Sequence, residues 1–174
     1  MEPQLQIKLP ALGAVWYVTA RETEVHWVAA RELSADHLLV FGAVSDERAC
    51  RPALVRWLMR KTREHLVPRL QTLSLKTGLR YQRTFVKCPR TRWASCSRHR
   101  TISLNAKLLF LAPELVDYAM VHELCHLVEM NHSRRFWELV ERHQPDFRKL
   151  DHRLRDMWKG VPRWASGAVV PVYR

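Results

Sequence analysis

The 174-residue sequence carries only four cysteines, at positions 50, 88, 96 and 125, and none of them stand in a CxxC pair. That spacing excludes a zinc ribbon, and a chain long enough to bury a proper core has no need of a disulfide framework. Reduced thiols and a cytoplasmic location are therefore expected. Long apolar runs are missing too. Nothing approaches the ~20 residues that span a bilayer, so no membrane partner is expected. The stretch "LPALGAVWYVTA" (9–20) mimics a signal peptide, but its charged start is weak and Trp and Tyr interrupt its apolar centre. A strand is the better reading. Acidic residues are scarce, 17 against 29 Lys and Arg, for a formal net charge of +12. Acidic partners are attracted from a distance, and the basic surface admits nucleic acid or a nucleotide without choosing between them. With 47% hydrophobic and 26% charged residues, the composition is that of a globular domain rather than a disordered or fibrous chain.

What is present divides by hydrophobic period. In the first 45 residues "LQIKL", "VWYVTA", "EVHWVAA" and "HLLVFGA" are short runs rich in branched and aromatic side chains, separated by the polar turns "RETE" and "RELSAD". From Pro52 the period becomes helical, with Leu54, Val55, Leu58, Met59, Leu66, Leu70 and Leu73 on one face. Pro52 suits a first turn and Gly78 a stop, while Pro68 should kink or divide the helix. "YQRTFVKC" and "TISLN" read as strands, with the turn at residues 97–100. Pro113 opens a helix expected to run through Met130. Ser133 caps another through His143, and Pro145 starts a third through Trp158. The tail from 161 to 174 reads as irregular. "RWAS" occurs twice, at 92–95 and 163–166, which is too short to count as a repeat.

The densest chemistry lies in "VHELCHLVEMNH" (121–132). His122 and His126 are four apart, so a helix places both imidazoles on one face, a turn apart. Two ring nitrogens can then meet one tetrahedral ion, and a catalytic zinc needs a third protein ligand plus an open position. Glu123 points about 100° around the helix from His122 and can serve as a general base without binding the ion. With nine histidines in the chain, chance alone yields an HExxH somewhere about three times in a hundred. Glu129 and His132 are the candidates for third ligand. Glu129 shares the face of His122, but a straight helix rises about 1.5 Å per residue and carries it away from the ion. His132 follows Met130 and Asn131, where the chain can leave the helix and fold back. His132 is favoured, which leaves Glu129 as a solvated carboxylate or one that steadies an imidazole. Cys125 points away from the histidine face, and Phe136 and Trp137 read as core.

"TRWASCS" (91–97), "TISLN" (101–105), "LLFLAPELVDYAMVHELCHLVEMNHSRRFW" (108–137) and the following Pro-Asp-Phe resemble the YgjP-like metallopeptidase-domain family, in order over roughly residues 80–160. The chain is similar more distantly to SprT-like and WLM-type proteases. The resemblance implies an α+β fold, with an N-terminal β-rich segment (1–49), a compact gluzincin-type core of helices on a small mixed sheet (50–160) and the tail (161–174). It implies one Zn²⁺ per chain on His122, His126 and His132, with Glu123 as catalytic base activating the water held there. It also places the strand around Ser103 near the cleft, and Arg92, Trp93, Ser95 and Cys96 close to the metal helix. Their role is either structural or substrate-binding. The family's signature has Gly where this chain has Ala94, so a backbone that needs Gly would be strained.

The expected function is that of a zinc metallopeptidase acting on a peptide or protein. Arg92, His99 or a backbone N–H would stabilise the oxyanion. Two alternatives use the basic surface. One is metal-dependent hydrolysis of a nucleotide phosphoanhydride. The other is a nucleic-acid-associated protease or binding module of SprT-like type, in which Lys and Arg interleaved with tryptophan in "RPALVRWLMRKTREHLVPR" and "HRLRDMWKGVPRW" contact phosphates and stack bases.

Overall fold

Alternating apolar residues near the N-terminus build a four-stranded sheet in the computed structural model, which describes residues 5–167. Its strands are β1 (Leu5–Leu9), β2 (Ala14–Glu22), β3 (Val28–Glu32) and β4 (His37–Gly42), in the order β1-β2-β4-β3. β2 and β4 are parallel and the other two pairings antiparallel. The stretch that mimicked a signal peptide supplies a short turn, Pro10–Leu12, and half of β2. β3 begins only at Val28, later than "EVHWVAA" suggested. At Gly42 (φ +119°) an added Cβ would stand 1.9 Å from the Trp27 carbonyl oxygen, so glycine is required where the two strands separate.

α1 (Glu47–Thr77) starts five residues before Pro52. Asp46 is the cap, its carboxylate accepting from the N–H groups of Arg48 and Ala49. Nor does Pro68 divide the helix. Each interior proline costs about 3 kcal/mol. The helix, however, buries Leu54, Trp57, Leu58, Leu66 and Leu70 completely, each worth about 1.5–3 kcal/mol. Burial wins, and Gly78 in the left-handed region ends the helix as expected.

A second sheet follows, with β5 (Arg83–Lys87), β6 (Ala94–Cys96) and β7 (Thr101–Asn105) in the order β5-β7-β6. β6 was not anticipated, because three residues are too few to display a period. Ala94 lies in this strand, and Arg100 is the single non-glycine with positive φ among the described residues, so the exchange of Gly for Ala strains nothing. Arg100 closes the expected turn, its N–H donating to the Ser97 carbonyl at 3.0 Å.

α2 (Pro113–Cys125), α3 (Arg134–His143) and α4 (Phe147–Asp156) complete the α+β fold. α2 stops five residues before the expected end at Met130. Ser133 caps α3 as expected, accepting from the Phe136 N–H. In the tail, Arg163–Ser166 forms a helical turn, while residues 168–174 lie outside the described residues. One apolar cluster joins both sheets and all four helices. It takes in Trp57 and Trp164, two of the tryptophans interleaved with basic residues, and Trp158 packs against it. No helix among the described residues is long and apolar enough to cross a membrane.

Candidate metal centre

Tyr118, His122 and His126 recur every fourth residue and share one face of α2. The helix then has to end. The His126 ring nitrogen Nδ1 lies 2.9 Å from the Glu129 carbonyl oxygen, and the Ser133 N–H donates to the Asn131 carbonyl at 2.8 Å. These bonds turn the chain back, and the cap at Ser133 launches α3. His132 is thereby returned to the histidine face. Its Nε2 lies 3.0 Å from His122 Nε2 and 3.2 Å from His126 Nε2.

This geometry can be tested against a metal. Two nitrogens bound tetrahedrally at 2.0–2.1 Å stand about 3.3 Å apart, close to both separations. Hydrogen bonding alone does not account for the trio. The Glu129 carbonyl can only accept, so His126 carries its proton on Nδ1 and presents a bare lone pair at Nε2. His132 Nε2 has at most one proton to share between two neighbours, and a cation among the three removes the conflict. Burial, followed by the neighbouring imidazoles His126 and His132, pushes His122 down to about 4. Burial also lowers His126, partly offset by its bond to Glu129. Those rings are neutral near pH 7, the form that binds metal. Aromatic faces hold the rings in place. Phe136 stacks on His126 at 4.4 Å between centroids, and Trp137 on His132 at 5.6 Å.

Glu123 faces β6 across a cleft of about 460 Å³. Burial pushes its carboxyl up to about 7, against the pull of the Cys96 backbone N–H and the Arg92 charge. Arg92, Ser95 and Cys96 line this cleft beside the three histidines. Trp93 is buried and stacks on Trp158 at 3.9 Å. The loop before it is tied from below. Asn105 Nδ2 donates to the Pro89 and Arg92 carbonyls, and the fully buried Lys107 also donates to Pro89. Both Arg92 and Trp93 border the cleft, and Trp93 also packs into the core. Ser103 lies one strand further in, on β7, and His99 lines the outer face of the sheet rather than the cleft. Glu129 meets the site through its main chain, not its carboxylate.

Two cleft residues escaped the sequence reading. The Tyr118 hydroxyl donates to Asp151 Oδ1 at 2.9 Å, and burial, with that carboxylate, holds the phenol well above its ordinary value. The fourfold spacing of Tyr118 before His122 was a usable signal. Asp151, on another helix, left none.

The sequence profile of the YgjP-like metallopeptidase domain matches residues 3–157. Among solved structures, the metallopeptidase zymogen abylysin of Pyrococcus abyssi is 27% identical, with a TM-score of 0.45, over 52% of this chain and 90% of its own. The zymogen jannalysin of Methanocaldococcus jannaschii is 18% identical, with a TM-score of 0.44, over 49% and 89%. No curated protein matches the chain.

Proposed function

Given that the chain belongs to the YgjP-like metallopeptidase-domain family, we propose that His122, His126 and His132 hold one zinc ion and that Glu123 is the general base of peptide hydrolysis. The observation that carries this reading is the convergence of three imidazole nitrogens, with His132 Nε2 at 3.0 Å from His122 Nε2 and 3.2 Å from His126 Nε2 and all three within 4.8 Å of one another. A divalent ion on three neutral nitrogens supplies a water acidified to a pKa of about 7 and a Lewis acid for a carbonyl. Glu123 receives the proton of the attacking water on its carboxylate and returns it to the leaving amine. The Cys96 N–H orients the carboxylate, and the Arg92 guanidinium is the cationic group nearest to serve developing negative charge.

β6 lies at the edge of its sheet, with β7 as its one strand neighbour among the described residues. Its free edge borders the cleft, so an extended peptide can add as a further strand and bring its carbonyl past Glu123. Elemental analysis of the purified protein tests the metal site. About one zinc per chain is expected, and His132→Ala should reduce it strongly. A wild-type protein that takes up no zinc on reconstitution, or a His132→Ala variant that keeps its full complement, overturns the assignment.

A further inference from the structure

The β5-β7-β6 sheet has one face covered by α1 and the core and one face open. On β5 the burial alternates, with Thr84 and Val86 inward and Arg83, Phe85 and Lys87 outward. Phe85, midway along the edge strand β5, is 51% exposed, a large apolar surface left in water. Its neighbours across the sheet are Ser103 and then Ser95, both too small to cover it. The ring therefore lies on a flat platform of hydroxyl residues.

The charges around it have one sign. Arg83, Lys87 and Arg92, together with His99, line this depression of about 480 Å³, and no carboxylate does. None of the three strong cations is in an ion pair among the described residues. Successive outward residues on a strand stand about 6.6 Å apart, so cations flank the ring on both sides. An exposed aromatic between two cations, with no acid nearby, is complementary to an unstacked base between two phosphates.

We propose that the outer face of this sheet binds single-stranded nucleic acid, with a base stacked on Phe85 and the adjoining phosphates held by Arg83 and Lys87. The surface differs from the one suggested by the tryptophan-containing basic segments. Trp57 and Trp164 are buried, and Trp158 is stacked on Trp93, so none offers a face to a base. Duplex is disfavoured because its bases are already stacked on one another. The face shares Arg92, Ser95 and Cys96 with the histidine cleft, so a bound strand would run alongside the proposed catalytic site. Binding itself needs neither metal nor hydrolysis, and it stands or falls apart from that reading.

Fluorescence anisotropy with labelled twelve-nucleotide DNA and RNA single strands tests it directly, with the matching duplex and a poly-glutamate peptide as competitors. Single strands should bind, with log K falling against log salt at a slope near −2 for one phosphate each on Arg83, Lys87 and Arg92. Phe85→Ala should weaken binding about tenfold or more, and Phe85→Trp should retain it. The Arg83→Gln, Lys87→Gln pair should reduce the slope by about 1.4. Whichever of DNA and RNA binds more tightly identifies the preferred sugar. The proposal is overturned by no binding at low salt. It is equally overturned if duplex or poly-glutamate competes as well as the single strand while Phe85→Ala changes nothing.

Discussion

Two clusters of polar side chains lie against the core of this protein, and they treat charge in opposite ways. Midway along α1, Lys61 Nζ lies 3.0 Å from Glu32 and 2.8 Å from Glu64, while Trp57 Nε1 donates to Glu32 at 3.0 Å. Burial alone would push both partners toward neutrality. The hydrogen bonds and opposite charges outweigh it, so the Glu32 carboxyl is held below its ordinary value and the Lys61 ammonium above. At the histidine cluster nothing outweighs burial. His122 falls to about 4 and Glu123 rises to about 7. The first cluster is complete, with every charge answered by another. The second keeps three imidazole nitrogens and a carboxyl whose burial the nearby Arg92 charge does not offset, which is the condition of a site that takes a ligand.

The sharpest way to break this contrast is to remove the acid whose burial goes unanswered, Glu123. Glu123→Gln should lower kcat by a factor on the order of 10²–10⁴ while zinc content stays at the wild-type level. Retention of full activity would end its role as base. Next in size is Lys61→Met, which leaves Glu32 without its main partner and should cost about 2 kcal/mol of stability, allowing for the partial exposure of the carboxylates. Urea unfolding measures this, and activity per folded molecule should not change.

The pH dependence of the metal-free protein is a smaller effect with a definite sign. The Glu123 carboxyl titrates near 7 when folded, so the native state holds an extra proton from about pH 4.5 to 7 and loses stability as pH rises through that window. Glu32 acts in reverse, contributing above the ordinary carboxylate pKa and losing its contribution as pH falls through its lowered value. Removing the Glu123 charge should therefore raise the metal-free Tm more at about pH 8 than at about pH 5. An equal shift at both would show that burial does not hold the proton. Smallest of all, Glu129→Ala should leave zinc affinity within about twofold, because its carbonyl rather than its carboxylate meets His126.

Element boundaries were the least legible part of the fold. Asp46 at the head of α1 was overlooked because Pro52 imitates a first turn, yet the cap bonds and the buried face extend the helix past the proline. The apolar period around α2 overruns the helix for a related reason. Leu127 and Val128 continue an apolar period, and a period does not register that the Glu129 carbonyl turns inward to accept from His126. β6 left no mark at all, since three residues cannot alternate recognisably. The basic segments containing Trp57 and Trp164 were misleading in another way. Spacing along the chain cannot tell a tryptophan that stacks a base from one that fills a core.

Local chemistry by itself determined the α+β class, most of the strands and the pairing of His122 with His126, because helical spacing of 3.6 residues is an intrinsic property of the backbone. The acid beside them was equally visible as part of HExxH. Only the tertiary structure decided how His132 returns to meet them, that Cys96 and Arg92 stand over Glu123, and that Phe85 is left open among cations. Each of these depends on where the chain reverses and which face a neighbouring element covers. Those outcomes are set by burial of residues far apart in sequence, and no short window of residues contains them.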